Sequence, residues 1–419
     1  MSKNKKQVIP KLRFIDFKDD ERWDITTFGK LSIPVEERAG EDSYTLMSVT
    51  SGVGLIPQIE KFGREIAGNS YKNYYVIQND DFAYNKSATK LYPEGYIAML
   101  QGYDNAALPN SIFTCFRIVD KGSSPQFFNY LFSSNYNGKW LRKYITLGAR
   151  DNGALSVYNI YLWKMPVAVP KLNEQQKIAE CLVSLDELIS AEDEKLLALK
   201  DQKKGLMQKL FPAEGNSLPE WRFPEFRSCG EWELKTIRNT CASYSGGTPD
   251  TSIKKYYGGK IPFIRSGEIA KKITELFLTD EGLQNSSAKK VAVGDVLVAL
   301  YGANSGEVAL SKIDGAINQA ILCLKHESNN AFVYHYLSHK KQWIIKTYIQ
   351  GGQGNLSGEI IKSVELYFPK LPEEQQKIAA CLSGFDDLIT TQSEKIEALK
   401  LHKIALIQGL FPSAQEVFE

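Results

Sequence analysis

The stretch EQQKIAECL at residues 174–182 returns as EQQKIAACL at residues 374–382 of a 419-residue chain. Followed outward at that offset, 175–212 and 375–412 share 21 of 38 positions. The shared pairs include Cys181/Cys381, Asp186/Asp386, the Glu-Lys steps at 194–195 and 394–395, and Leu210-Phe211-Pro212 against Leu410-Phe411-Pro412. A fainter match lies upstream, where Arg13-Phe14, Phe17 and Trp23 recur with the same spacing as Arg222-Phe223, Phe226 and Trp232. Each half therefore reads as an opening motif, a long variable block and a helix. Matched ends around dissimilar middles imply one architecture carrying two specificities.

The helix has a narrow apolar stripe. In the first copy it runs Ile178, Leu182, Leu185, Ile189, Leu196, Leu199, Leu206 and Leu210, with Glu192 and Lys203 at the two polar seam positions. The second copy gives Ile378, Leu382, Phe385, Ile389, Ile396, Leu399, Leu406 and Leu410, with Gln392 and Lys403 as its polar seam residues. Steps alternating four and three are a coiled-coil seam, narrower than the face of a helix packed on its own domain. Asn173 with Gln176 forms a prospective capping box, Pro372 suits a first turn, and Phe-Pro closes each helix. Antiparallel pairing with Glu192 opposite Lys403 also sets Lys203 opposite Gln392, Leu199 opposite Ile396 and Leu196 opposite Leu399, so polar meets polar. Each helix would span about 55 Å at roughly 1.5 Å per residue. An antiparallel pair would hold the two variable blocks at opposite ends of a rod.

The blocks mix strands, turns and late helices. The first has strand-like runs YYVIQ (74–78), GYIAML (95–100) and IFTCFRIV (112–119), a helix near PQFFNYLFSS (125–134), then the Gly-rich LGARDNGALS (147–156). The second repeats that order with KVAVGDVLVALYG (290–302), AILCLK (320–325), NAFVYHYLSHKKQWI (330–344) and GGQGNLSG (351–358). The fold class is α/β (α+β): two globular domains separated by two long helices forming an antiparallel coiled coil. The expected boundaries are 1–170 for the first domain, 171–212 for the first helix, 213–369 for the linker and second domain, and 370–419 for the second helix and tail.

Composition narrows the class without naming a partner. Hydrophobic residues make up 43% and charged residues 24%, with a net charge of +2, as in an ordinary globular protein with a full core. Residues 1–169 carry 21 Lys+Arg against 17 Asp+Glu and 213–368 carry 18 against 16, whereas 170–212 and 369–419 lean acidic. Mildly basic blocks permit a phosphate-binding face without requiring one. No apolar run reaches the roughly eighteen residues of a membrane span, and the N-terminus lacks the apolar core of a signal peptide. Six cysteines without a CxxC pair give neither a disulfide framework nor a zinc site, so a reducing cytoplasm is the expected compartment.

Catalytic motifs are missing from the sequence. It holds no G-x-x-x-x-G-K-[ST] phosphate loop, no dinucleotide fingerprint after a strand, and no nucleophile in an activating context. His335 and His339 have the spacing of a helical zinc pair, but HYLSH lacks the intervening general-base Glu, and a surface helix is the expected setting; no metal site is assigned. GGTP (246–249), YGANSGEV (301–308) and GGQGNLSG have the glycines to cradle a phosphate, although such stretches are more often plain turns.

Taken together, the chain resembles the specificity subunit of type I restriction–modification enzymes. The resemblance rests on the twin EQQKIA helices, the LFP closures and the Trp-containing opening motifs. Within the blocks it rests on FAYNKSAT (82–89), GARDNGALS, GGTPDTS with YYGGKIPFIRSGEI, and NQAIL with GGQGNLSGEII. It implies two target recognition domains, each reading one half of a split double-stranded DNA sequence, with the helices as a ruler for the gap. About 55 Å corresponds to about 16 base pairs at roughly 3.4 Å each. It also implies a non-catalytic chain, since the adenine methyltransferase signature is absent. Two modification (methyltransferase) subunits would dock along it, and restriction (translocase/nuclease) subunits would add cleavage. No cofactor is expected on this chain; S-adenosylmethionine, ATP and Mg belong to the partner subunits in this reading.

The residues carried over as DNA-binding candidates are Tyr84, Asn85, Lys86, Ser87 and Arg150 in the first block. In the second they are Thr248, Arg265, Ser266, Tyr301, Asn304, Ser305, Gln353 and Asn355. Arg150 and Arg265 are the prospective guanine readers, because a guanidinium pairs bidentately with guanine. The first block lacks GGTP and the second lacks YNKS, so the halves belong to different domain subtypes. Two other readings stay open at this point: a coiled-coil scaffold whose blocks bind proteins, and the recognition subunit of a methyltransferase-only system.

Overall fold

In a computed structural model the described residues are 7–67, 70–145, 155, 157–348 and 355–419. Two 39-residue helices dominate, Leu172–Leu210 and Pro372–Leu410. Each ends one residue before Phe-Pro, because the residue preceding proline is pushed out of helical geometry. The chain divides into two compact units, Met1–Glu192 with Lys395–Glu419, and Asp193–Glu394. Both divisions fall inside the long helices.

In the first unit the start of the first helix lies beside the end of the second. The Lys403 ammonium donates to Asp186 at 2.5 Å and Lys395 pairs with Glu192, so numbers rise on one helix as they fall on the other. In the second unit Lys203 donates to Asp386 at 2.5 Å, while Met207 and Leu210 share a core with Ile378 and Leu382. The pairing is antiparallel. Ile178, Leu182, Ile189, Ile378, Leu382, Gln392 and Ile396 are buried along the seam. Leu185, Glu192, Leu196, Leu199, Lys203, Leu206, Phe385, Ile389, Leu399, Lys403 and Leu406 are half-buried.

The register differs from the one that matches polar seam residues with each other. Lys403 meets Asp186 rather than Glu192, and Lys203 meets Asp386 rather than Gln392, a slip of about one heptad. A lysine at the seam leans its aliphatic stem along the apolar surface and takes its charge to a carboxylate at the flank. Asp186 and Asp386 stand there, next to Leu185 and Phe385. The start of the first helix also differs from the expected capping box: Asn173 lies within the first turn, its Oδ1 accepting the Glu174 N–H at 2.9 Å, and Gln176 is exposed.

Each unit carries a four-stranded antiparallel sheet of the same connectivity. The first orders its strands Ser32–Pro34, Phe113–Ile118, Phe82–Asn85, Tyr96–Met99; the second orders them Cys241–Ser245, Ile321–His326, Val296–Ala299, Val308–Leu310. Their central strands are covered on both faces. Leu322 and Leu324 enter one core and Ile321 and Cys323 another, as the period of two dictates. The units differ beyond this sheet. The first adds a hairpin, Met47–Thr50 with Gly54–Pro57, and the pair Tyr75–Gln78 with Asn105–Leu108. The second adds a sheet ordered Leu276–Leu278, Tyr257–Ile264, Gly315–Ile317, Lys289–Val291, containing one parallel pair.

A block's two ends lie side by side. Trp23–Thr27 pairs with Pro166–Val169, and Glu233–Thr236 with Glu365–Phe368, delivering each chain directly into its long helix. The helix ends close the cores. Phe411 packs on Phe127 with ring centroids 5.0 Å apart in the first unit, and Phe211 stacks on Tyr336 at 4.2 Å in the second. A short helix, Ala414–Phe418, places Phe418 against Tyr136 and Trp140.

Candidate nucleic-acid interface

The opening motifs, legible only as a repeated spacing, prove to be clamps. Arg13 and Trp23 both donate to Glu174, and Arg222 and Trp232 both donate to Glu374. They fix where each block sits on the start of its helix, and the loops of the block follow from that.

In the second unit several candidate residues come together. The strand Tyr257–Ile264 runs into Arg265 and Ser266, and its last residue pairs with Ile317. Just beyond Ile317, the exposed Gln319 accepts the Thr248 hydroxyl at 2.7 Å. The Asn304 side chain lies against Gly267, and Asn355 accepts the Gly302 N–H at 3.3 Å. Thr248, Gln319, Ser266, Tyr301, Asn304 and Asn355 thus occupy neighbouring loops, and all but the half-buried Ser266 are exposed. Exposed donors and acceptors on loops carried by a sheet have the chemistry that reading base edges requires. Gln319 was missed in the sequence; its only local signal was its place in the NQAIL stretch.

Other candidates are corrected. The Arg265 guanidinium is occupied by Glu268 at 3.0 and 3.1 Å and by Glu275 at 2.5 Å. Burial raises the Glu268 carboxyl, but the bonds from Arg265 and from the Glu275 and Arg265 N–H groups outweigh it and bring its pKa to about 2. An arginine neutralised by two carboxylates braces its loop rather than presenting a fork to guanine. Ser305 is likewise committed, donating to the Leu300 carbonyl at 2.9 Å and accepting the Leu356 N–H at 3.2 Å.

In the first unit Tyr84 is only 1% exposed. It shares a face of its strand with Phe82 and joins the aromatic core, its hydroxyl donating to the Glu94 carbonyl at 2.7 Å. Tyr84 is therefore a core residue, not a contact. Asn85, Lys86 and Ser87 are half-buried where the strand ends, with Asn85 Oδ1 accepting the Ser87 N–H at 3.0 Å. Burial lowers the Lys86 pKa; its ammonium reaches Asn159, which also accepts the Thr114 hydroxyl at 3.0 Å. Asn159 escaped the sequence reading because nothing local marks it. Arg150 and Gln353 lie outside the described residues.

The glycines of GGTP have a packing role. A Cβ on Gly246 would stand 1.8 Å from the Ile317 carbonyl oxygen, and one on Gly247 would stand 1.8 Å from Ser287 Oγ. They let this loop press onto the sheet. The helix carrying His335 and His339 is not a surface helix at those positions. His335 is buried with Nε2 3.1 Å from Ser383 Oγ, and His339 stacks on Phe211. Desolvation, helped by nearby Lys203, lowers the His335 pKa to about 3; desolvation and Lys340 bring His339 to about 4. Among the described residues no group of three or more His, Cys, Asp or Glu is arranged to hold a metal ion, and no helix is long and apolar enough to cross a membrane.

The family model described as "Type I restriction modification DNA specificity domain" matches residues 230–401. The resemblance read from the repeated motifs therefore holds. The MjaIX specificity subunit of Methanocaldococcus jannaschii is 33% identical over 191 residues, 43% of this chain and 44% of that one. A putative MjaX specificity subunit from the same organism is 25% identical over 317 residues, 74% of this chain and 72% of that one. The chain thus spans less than half the length of the first relative. The Escherichia coli EcoR124I/EcoR124II specificity subunit is 27% identical over 178 residues, 39% of this chain and 43% of that one. Among solved structures, the type I S subunit from M. genitalium aligns with TM-score 0.60 and 14% identity, covering 97% of this chain and 100% of that one. A chain from a structure of the assembly and conformational transition of the type I R-M system aligns with TM-score 0.57 and 18% identity, covering 94% and 98%. At these identities the likeness is one of fold.

Proposed function

We propose that this chain is the DNA sequence-recognition subunit of a type I restriction–modification system. The observation that carries the reading is the cluster of exposed polar loop residues in the specificity domain: Thr248, Gln319, Tyr301, Asn304 and Asn355. In this reading 1–170 and 213–369 are the target recognition domains, each reading one half of a bipartite double-stranded DNA target. The helices in 171–212 and 370–419 set the number of base pairs between the halves and dock two modification subunits. Those partners bring S-adenosylmethionine and adenine methylation; restriction subunits bring ATP, Mg and cleavage. The chain itself is non-catalytic and works in the cytoplasm. Its small net positive charge fits a subunit that binds DNA tightly only once its partners complete the clamp.

The test is methylome sequencing of a host expressing the partner subunits, with and without this chain. A split adenine-methylated motif should appear with the chain and vanish without it. Absence of any such motif with all subunits expressed would sink the proposal.

A further inference from the structure

Thr248 and Gln319 differ from their neighbours in the polar loops, because one side chain decides how the other is presented. The Thr248 hydroxyl donates to Gln319 Oε1 at 2.7 Å, the usual length of an O–H···O bond and short for an N–H···O bond. The carboxamide is thus held one way round, with Oε1 beside the threonine and Nε2 turned from it. That bond uses one of the two Oε1 lone pairs and neither Nε2 hydrogen. Gln319 is exposed, so its amide edge offers an acceptor and a donor in a fixed order.

Both residues sit on short, tied loops. Gln319 is the middle residue of the turn between the strands Gly315–Ile317 and Ile321–His326. Asn318 Oδ1 accepts the Ala320 N–H at 3.1 Å, and the Ala320 carbonyl accepts the Leu300 N–H at 2.8 Å. Thr248 follows Gly246, whose missing Cβ lets its loop press onto the Ile317 carbonyl, two residues before Gln319. Beyond Thr248 the Pro249 carbonyl accepts the Tyr257 hydroxyl at 2.7 Å. A glutamine on a loose loop loses rotamer freedom when it binds; here much of that freedom is already gone.

The four bases meet such an edge differently. In the major groove adenine sets the N7 acceptor beside the N6–H donor, which complements Nε2–H and the second Oε1 lone pair. Guanine sets two acceptors side by side, N7 and O6, so a fixed Oε1 would face O6 lone pair to lone pair. Cytosine offers a donor alone, and thymine a methyl beside its one acceptor. An amide free to turn could exchange its ends; the bond from Thr248 prevents that.

We infer that Gln319 reads one adenine in the half-target recognised by the second unit, through N7 and N6 in the major groove. Thr248 is the positioning residue that fixes the amide and does not itself select the base. This assignment rests on the DNA-recognition reading proposed above, and adds to it a base and a division of labour between two residues.

The test is methylome sequencing of a host expressing the partner subunits with wild type or a variant. Competition binding of the assembled methyltransferase to duplexes altered at one base accompanies it. Gln319→Glu, which can only accept, should exchange one adenine of the motif for cytosine and leave every other position as it was. Thr248→Val keeps the shape and removes the hydroxyl; it should lower the preference for adenine over guanine at that same position about tenfold. Thr248→Ser should restore the preference. With wild type, 7-deazaadenine at that position lacks the N7 acceptor and should weaken binding about tenfold; the threonine variants and this analogue carry the test if Gln319→Glu does not fold. An unchanged motif in Gln319→Glu, changes spread over several positions, no effect of 7-deazaadenine, or a G·C pair at the altered position in wild type would each overturn the assignment and leave DNA recognition standing. No split motif from wild type with all subunits expressed would overturn both.

Discussion

The guanidinium of Arg222 meets the carboxylate of Glu374 fork to fork, through Nε and Nη2 at 2.7 Å each. The Trp232 indole N–H adds a third bond to the same carboxylate at 3.2 Å. Arg13, Trp23 and Glu174 repeat the arrangement in the first unit at 2.8, 2.7 and 3.1 Å. The first letter of each EQQ motif is therefore the residue that ties a block to its helix. Because the pair is buried, Glu374→Ala strands a guanidinium and an indole N–H and should cost about 3–5 kcal/mol in urea unfolding. Arg222→Lys should recover little of it, since a lysine cannot supply the fork. A loss under 1 kcal/mol would show the clamp to be dispensable.

The helix register is tested by charge exchange. Asp186→Lys with Lys403→Asp should restore most of what either single change loses. A coupling of about 0.5–1 kcal/mol is expected for such half-exposed pairs. Glu192→Lys with Lys403→Glu, the pairing that polar matching favours, should show no coupling.

Much of this framework was legible before any coordinates. The alternating steps along Ile178–Leu182–Leu185 announce a seam, and the runs at 74–78, 95–100 and 112–119 contain strands. Partners were not legible, because they depend on where a side chain ends rather than where its residue sits. The sequence offers Lys403 several carboxylates within a heptad, and only packing selects Asp186. Tyr84 looked available because a four-residue strand does not say whether both its faces are covered. Arg265 could have been read from RSGE, whose Glu268 lies one helical turn on; Glu275 could not.

His335 and His339 make the second unit sensitive to mild acid. Their folded pKa values, about 3 and about 4, lie below the ordinary histidine value, so the unfolded chain binds more protons in the interval between. Stability should therefore fall as pH drops from about 6.5 toward 4. His335→Gln should flatten part of that slope in denaturation midpoints collected across the range. An unchanged slope would assign the sensitivity elsewhere.

At lower pH the Arg265 brace should give way. The stabilisation from Glu268 is complete above its unfolded value near 4.3 and is lost as pH falls toward about 2. Arg265→Ala should weaken the second unit at neutral pH and shrink its loss of stability between about pH 4 and 2. Stronger DNA discrimination by wild type at one guanine, with stability unchanged in the variant, would reinstate Arg265 as a reader.

For the polar loops, Asn304→Ala, Thr248→Ala and Gln319→Ala should alter one half of the target and leave the other intact. A lost base contact is worth about 1–3 kcal/mol, visible as relaxed positions in the methylated motif. Changes confined to uniform affinity would mark these residues as phosphate contacts instead.

The closing of the first core by Phe411 and Phe418 has a consequence for synthesis. The second unit is one continuous stretch, Asp193–Glu394, whereas the first needs residues from both Met1–Glu192 and Lys395–Glu419. On the ribosome the later-made unit has its full complement first. The earlier-made block can complete its aromatic core beside Phe127 and Trp140 only once Phe411 and Phe418 have been made. Domains ordinarily fold in the order they are made; here the unit begun first is completed after the one begun second.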